Sequence, residues 1–479
     1  MGDHASAFPS KRFFVEMLTR DIELGDAILD LIDNCIDGIH RELAKGPRNA
    51  AASAQPYKGF WARIDLDKKS FAILDNCGGI PRDVAEKHAF RLGRPEGTKE
   101  VDAPTVGVYG IGMKRSLFKL GRSATVTTLN AGKAYRVSIS KQWMKDDNDW
   151  SLPLADIPKA NVPVALGNAK AGTLIEVEAL VPGVVEEFDT QGSTFLTTLR
   201  STVATHYSYI LHKGFAIEIN KQAVAPRALN ILVSRSKAPG PRIEPFVYES
   251  EHDGIKVELI VGLYRSIPSE KEVQDELTGK ATAGSRETCG WTVICNDRVV
   301  VYNDKTRLTG WSEAGVPAYH PQFNAIAGIV RFQSNQMVGL PITTTKRGLD
   351  ASSELYLAVK DQMREGLKTF TNFTNHWKEH GADRDALVAA ADSSEPFSAA
   401  AQLPKTRWSA VHKGLRGRKY VPDLPRPKAQ TPTDVTIKFT RRRVDVERVA
   451  AHLFEEPETV TATQVGEECF DRYLSQAKQ

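Results

Sequence analysis

The chain of 479 residues reads as an α+β protein that begins with a helix packed on a sheet. Two observations predict this class. Residues 21–45 carry apolar side chains at three- and four-residue steps, the period of an amphipathic helix. The segments that follow alternate apolar and polar residues between turn signals, as antiparallel strands do. Strands grouped after a helix, rather than alternating with helices, argue against a doubly wound parallel sheet.

The elements follow in order. FWARIDL and SFAILD, within 60–75, read as two strands joined by Asp67-Lys68-Lys69, and a glycine-rich stretch covers 78–112. Further strands are predicted at 123–140 (SATVTTL, AYRVSIS) and 172–180 (GTLIEVEAL). A second block, about 190–350, opens on a helical stretch and continues with the strands FAIEIN, KVELIVGLY and WTVICNDRVVVY. Leu355, Val359, Met363, Leu367, Phe370 and Trp377 give 351–381 a helical period. Residues 382–432 turn Ala/Ser-rich and then Pro-rich, and read as a basic linker. The last segment, 433–479, carries the strand VTIKF and two short helices, too little chain to bury much alone.

Composition excludes more than it selects. Sixty-three basic residues stand against 59 acidic ones, a net charge of +4, so no partner class follows from the sum. The five cysteines have no CxxC or Cys/His spacing, which speaks against structural zinc and a disulfide framework. The first residues have no apolar core of signal-peptide length, and no apolar run is long enough to span a bilayer. A soluble protein of the cytoplasm, away from membranes, is expected.

Chemistry concentrates in three segments. In DAILDLIDNCIDGI, Asp26, Asp30, Asp33, Asn34 and Asp37 share one stripe of the helix opposite the apolar face. Such a stripe suits either a solvated acidic face or a magnesium ion held through oxygen ligands, and the helix alone leaves both open. LDNCGGI ends a strand with Asp75, placed to accept a hydrogen bond from a ligand edge, and Gly78 and Gly79 let the backbone come close. VGVYGIGMK sets Gly107, Gly110 and Gly112 ahead of Lys114 and a helical run, where free N–H groups and the helix dipole favour a phosphate. The spacing GxxGxG is neither the dinucleotide fingerprint nor a Walker A loop.

Taken in this order, the three segments resemble the GHKL ATPases, the group of DNA gyrase B, the heat-shock chaperones, MutL and the MORC proteins. The resemblance covers about 20–180 and implies a Bergerat α/β sandwich over 1–185 that binds ATP and Mg2+. It makes Asn34 the magnesium ligand, Asp75 the reader of the adenine amino group, and Gly110 and Gly112 the edge of a phosphate-covering lid. GTLIEVE resembles the fourth family motif and puts Thr173 beside Asp75. The implied nucleotide site also takes in Asp37, Gly79, Ile80, Gly107, Ile111, Met113 and Lys114. Two departures stand out. The usual catalytic Glu is Asp30, which would still act as general base on the attacking water from a shorter side chain. The first glycine of the usual DxGxG is Cys77.

The resemblance also implies that 186–350 is a ribosomal-S5-like transducer whose loop VGLPITTTKRGLD returns a cation to the γ-phosphate. Lys346 is the first candidate, as a second catalytic residue, and Arg347 the second. Sensor kinases, topoisomerases, MutL endonucleases and true chaperones would need other domains, which leaves a short MORC-like or MutL-like ATPase. Its expected action is slow hydrolysis that drives a conformational or homodimerisation switch on DNA or a DNA-bound partner. The alternative is an ATP-binding module with little turnover that recruits an effector protein, as in a bacterial antiviral defence system. Residues 405–443 hold twelve basic side chains against Asp423 and Asp434, with Trp408 and Tyr420 interleaved. They read as an arm for nucleic acid or as a solvated linker.

Overall fold

Ser10 starts the first helix, α1 (Lys11–Arg20), by accepting from Phe13 N, and α2 (Leu24–Lys45) follows. The computed structural model describes residues 10–45, 55–91, 111–147, 149–189, 194–236, 238, 240–280, 288–335, 339–343, 346–412, 414–427 and 437–477. Leu24, Ala27, Ile28, Leu31, Ile32, Cys35, Ile36 and Ile39 of α2 are all buried, as their period requires.

Next come β1 (Trp61–Leu66), β2 (Ser70–Asp75), the single turn α3 (Arg82–Val84) and α4 (Gly112–Leu120). β3 (Gly121–Asn130), β4 (Lys133–Ile139), β5 (Leu154–Ile157), α5 (Val164–Ala169) and β6 (Gly172–Leu180) complete the segment. After α6 (Pro182–Glu187), α7 (Phe195–His206) and α8 (Ser208–His212) come β7 (Ala216–Ile219) and β8 (Gln222–Ala223). One sheet runs β5-β4-β3-β6-β2-β1-β7-β8, with β1 and β7 parallel and the other neighbours antiparallel. Ile28, Ile32 and Ile36 of α2 share a core with Ile64, Phe71, Ile73, Val126 and Val177 of that sheet. The helix-on-sheet sandwich is therefore present, but its sheet runs past the boundary expected at 185. A parallel neighbour for β1 needs a crossover, and α6 to α8 supply it.

The second sheet is built from β10 (Phe246–His252), β11 (Ile255–Leu263), β12 (Gly290–Cys295), β13 (Arg298–Asp304) and β14 (Ile326–Gln333). Short β9 (Ile231–Ser234) precedes them, and α9 (Glu270–Leu277), started by a Ser269–Glu272 capping box, falls between β11 and β12. β12 turns into β13 through Asn296 and Asp297 at φ +44° and +68°, the left-handed pair that matches strand twist. The long helix α10 (Glu354–Trp377) buries Leu355, Val359, Met363, Leu367, Phe370 and Trp377 in this core.

The linker expected at 382–432 is folded over most of its length. α11 (Gly381–Ala389), β15 (Ala391–Ser394), α12 (Pro396–Ala401), β16 (Ser409–Val411) and β17 (Gly417–Tyr420) occupy it. β15 pairs with β9 in a separate two-stranded sheet, and β17 pairs with β10, extending the second sheet together with β16. Alanines read as solvated are small enough for close packing: Ala399, Ala400, Leu403 and Tyr420 are buried with Ile231, Val247 and Ile260. Pro396 opens α12, Pro404 stands between α12 and β16, and past β17 the Pro425 O accepts from Trp377 Nε1 at 2.9 Å.

The chain forms two compact units, residues 1–427 and 428–479. The smaller holds the two expected helices, α13 (Arg443–Leu453) and α14 (Ala462–Ala477), with Ala450 and Val465 buried. The strand expected at VTIKF is absent from its described residues, Ile437 to Phe439. Among the described residues no helix is long and apolar enough to cross a membrane.

Candidate functional site

The acidic stripe of α2 is buried. Asp30, Asp33 and Asp37 are at most 6% exposed, which removes the solvated-face reading. Carboxylates taken out of water need cations and donors, and distant segments supply them. Asp33 Oδ1 accepts from Arg298 Nε at 3.0 Å and Tyr207 Oη at 2.7 Å, while Lys346 Nζ reaches Oδ2 at 3.1 Å. Burial alone would raise the Asp33 carboxyl, but Arg298 and Lys346 outweigh it and hold it below the usual range. Asp30 Oδ2 accepts from Arg115 Nη2 at 2.6 Å, and Lys346 Nζ stands 3.5 Å from its Oδ1. Arg347 pairs with Asp26, whose carboxyl burial nevertheless raises.

Lys346 thus returns from beyond the second sheet to the stripe. Burial would lower its ammonium, yet Asp33, Asp30 and Asp37 prevail and raise it above the usual lysine value. Its backbone holds φ +58°, a left-handed conformation uncommon outside glycine. Asn34, one turn from Asp30, has its Nδ2 buried without a hydrogen-bond partner among the described residues.

The loop after β2 lies against the middle of α2. Gly38 permits this, since a methyl group there would meet Cys77 O at 2.4 Å. Asp75 is buried, its Oδ1 accepts from Cys77 N at 2.7 Å, and Cys35 Sγ lies 3.5 Å from Oδ2. Burial pushes the Asp75 carboxyl up to about 6, against the lowering effect of Cys77, Cys35 and the backbone of Thr173. That last contact sets Thr173 against Asp75, and Thr173 Oγ1 is 3.4 Å from Thr128 Oγ1. Gly79, at φ +69°, tucks under the end of β3, where a Cβ would come within 2.4 Å of Leu129 O. Ile80 N donates to Thr128 Oγ1 at 2.9 Å.

Gly107 and Gly110 lie outside the described residues. Ile111 precedes α4, and a methyl group on Gly112 would sit 3.4 Å from Asp30 Cγ and Oδ2. The start of α4 therefore abuts the acidic stripe. Met113 faces the core, and Lys114 is buried with Nζ donating to Ala89 O at 2.9 Å, its ammonium lowered by burial to about 8.

The structure gathers Asp30, Asn34, Asp37, Gly112 and Lys346 at one end, and Asp75, Gly79, Ile80 and Thr173 along the neighbouring strand ends. Sequence reasoning missed Asp33 as the hub, together with Arg298, Tyr207 and Arg115. Asp33 was visible on the stripe, but nothing local marks its partners. Residues 22–173 match the model of a family described as histidine kinase-, DNA gyrase B-, and HSP90-like ATPases. The match ends before the second sheet, supports the GHKL superfamily, and with it ATP binding by this span. No curated protein matches the chain.

Proposed function

We propose that the protein binds Mg·ATP at this site and hydrolyses it slowly, driving a conformational or dimerisation switch. The observation that carries the reading is Lys346: a loop beyond the second sheet places a cation on the two carboxylates beside Asn34 and the start of α4. Asp75, closed off from water, accepts the adenine amino group, with Thr173 and Gly79 shaping the base pocket. The start of α4 faces the phosphates. Asn34 suits magnesium through its amide oxygen, and its Nδ2 donates to no acceptor among the described residues. Bound there, the ion would neutralise phosphate charge. Asp30 polarises the attacking water, and Lys346 exchanges Asp33 for the terminal phosphate, so that ATP and ADP leave the second sheet differently held.

The switch acts on DNA or a DNA-bound partner in this reading, though the basic segment contributes less than its sequence promises. Arg407 pairs with Glu244, Arg418 with Glu249, and Lys419 with Glu365, while Tyr420 is buried with its hydroxyl on Glu244. Lys405 and Arg416 of the larger unit remain exposed for phosphate, and so, separately, do Lys438 and Arg441 of the smaller. A second reading, an ATP-binding module with little turnover that recruits an effector protein, draws on Asp30 being short and already held by Arg115. Phosphate release with and without DNA, on wild type and Lys346→Ala, decides between them. Turnover that falls in the variant while ADP affinity holds supports the switch. ATP binding without phosphate release leaves the recruiting module, and ADP affinity that falls as far as ATP affinity sinks the γ-phosphate contact.

A further inference from the structure

Arg115 stands on the first turn of α4 and makes a contact that the cycle above does not use. Its Nη2 donates to Asp30 Oδ2 at 2.6 Å, with the arginine side chain 17% exposed and the carboxylate 5%. The guanidinium Nε is also buried and has no hydrogen-bond partner among the described residues. A half-buried arginine held this way is turned toward one carboxylate.

Asp30 needs such a partner. A water-activating carboxylate must present one oxygen in a fixed direction, and misplacement by about 1 Å costs on the order of a hundredfold in rate. The Asp30 side chain sits over the first turn of α4, within 3.4 Å of a methyl position on Gly112, where a helix start attracts negative charge. The two cations then divide the carboxylate: Arg115 takes Oδ2, and Lys346 stands 3.5 Å from Oδ1. Lys346 is the group assigned to the terminal phosphate, so Oδ1 is the oxygen facing the phosphate and its water.

We propose that Arg115 is a positioning residue for Asp30, pinning Oδ2 so that Oδ1 is left aimed at the attacking water. The assignment rests on the hydrolytic reading. It requires Arg115 to act on turnover through Asp30 and not on nucleotide affinity. An arginine that instead moved to the phosphates would act on affinity first.

The test uses the full chain, with ATP turnover and binding of a fluorescent ATP analogue measured on wild type, Arg115→Ala and Arg115→Lys. Arg115→Ala should lower kcat by roughly tenfold to a hundredfold and leave analogue affinity within about twofold. Arg115→Lys, with one donor in place of a planar fork, should recover part of kcat. Guanidinium ion, added to Arg115→Ala below denaturing concentration, should recover turnover as well, which a merely destabilised variant would not show. Unchanged kcat in Arg115→Ala, or affinity falling as far as kcat, overturns the assignment while wild-type turnover leaves the hydrolytic reading standing. A wild type that binds the analogue but releases no phosphate overturns both.

Discussion

Asp75 shows how one hydrogen bond decides what its neighbour can be. Cys77 N already donates to Oδ1 at 2.7 Å, so in the proposed site Oδ2, which Cys35 Sγ approaches at 3.5 Å, is the acceptor offered to an adenine amino group. In Asp75→Asn the amide oxygen stays with Cys77 and the N–H2 group turns to the base, donor against donor. ATP binding should be lost from a folded protein, and calorimetry finding near-wild-type affinity would remove Asp75 from the site. The pH dependence has a definite sign. Burial raises this carboxyl to about 6, so the better acceptor, the carboxylate, prevails above that value and is lost below it. Affinity for adenosine, which carries no phosphate to titrate, should therefore fall as pH drops through about 6. Flat affinity across that range would mean that the ionised form is not what the base meets. Asp30, Asn34 and Asp75 could be named as candidates from the sequence because each sits in a short local motif. Arg298 was not, since it meets Asp33 across 265 positions and the strand around it reads as any buried strand.

At the scale of elements, α2 was predicted correctly in its apolar half and left open in its polar half. Period alone gives the face that enters the first core. It cannot say that Arg115, Tyr207, Arg298 and Lys346 will come over the opposite face and turn acidic residues into buried ones. The segment 382–427 failed for the converse reason: composition marked it as linker, whereas small residues were serving close packing against β9 and β10. Gly38 tests how tightly α2 is bound to the loop carrying Asp75. On helix propensity alone, Gly38→Ala should stabilise by up to about 1 kcal/mol. A methyl group there would instead meet the Cys77 backbone oxygen at 2.4 Å, a contact with backbone that cannot swing aside. The expected result is a net loss of about 1–3 kcal/mol by chemical unfolding, with weaker ATP binding as the Asp75 loop is pushed out. A stabilised variant with unchanged affinity would show that the helix and loop have room to part.

The larger unit is joined across its two large sheets by the turn between β12 and β13. Asp297 accepts from Tyr57 Oη and from Lys213 Nζ, the latter at 2.8 Å, and Arg298 beside it enters α2 and Tyr207, its guanidinium 4.1 Å from the ring centre. Arg298 and Asp33 are both about 1% exposed. A pair so buried is weak support for stability as such, because desolvation offsets much of the attraction, but breaking it from one side is costly. Arg298→Met keeps most of the volume and leaves Asp33 to Tyr207 and Lys346 alone. It should cost about 3–5 kcal/mol in urea unfolding. It should also hold Lys346 more firmly on Asp33 and so slow any exchange onto a phosphate. Adding Asp33→Asn removes the carboxylate left one cation short, and the double variant should recover much of the loss, giving a coupling well above the few tenths expected of independent sites. Strictly additive losses, with Arg298→Met costing under about 1 kcal/mol, would mean that the sheets are held by their apolar contacts and that the charged turn is incidental to how they move together.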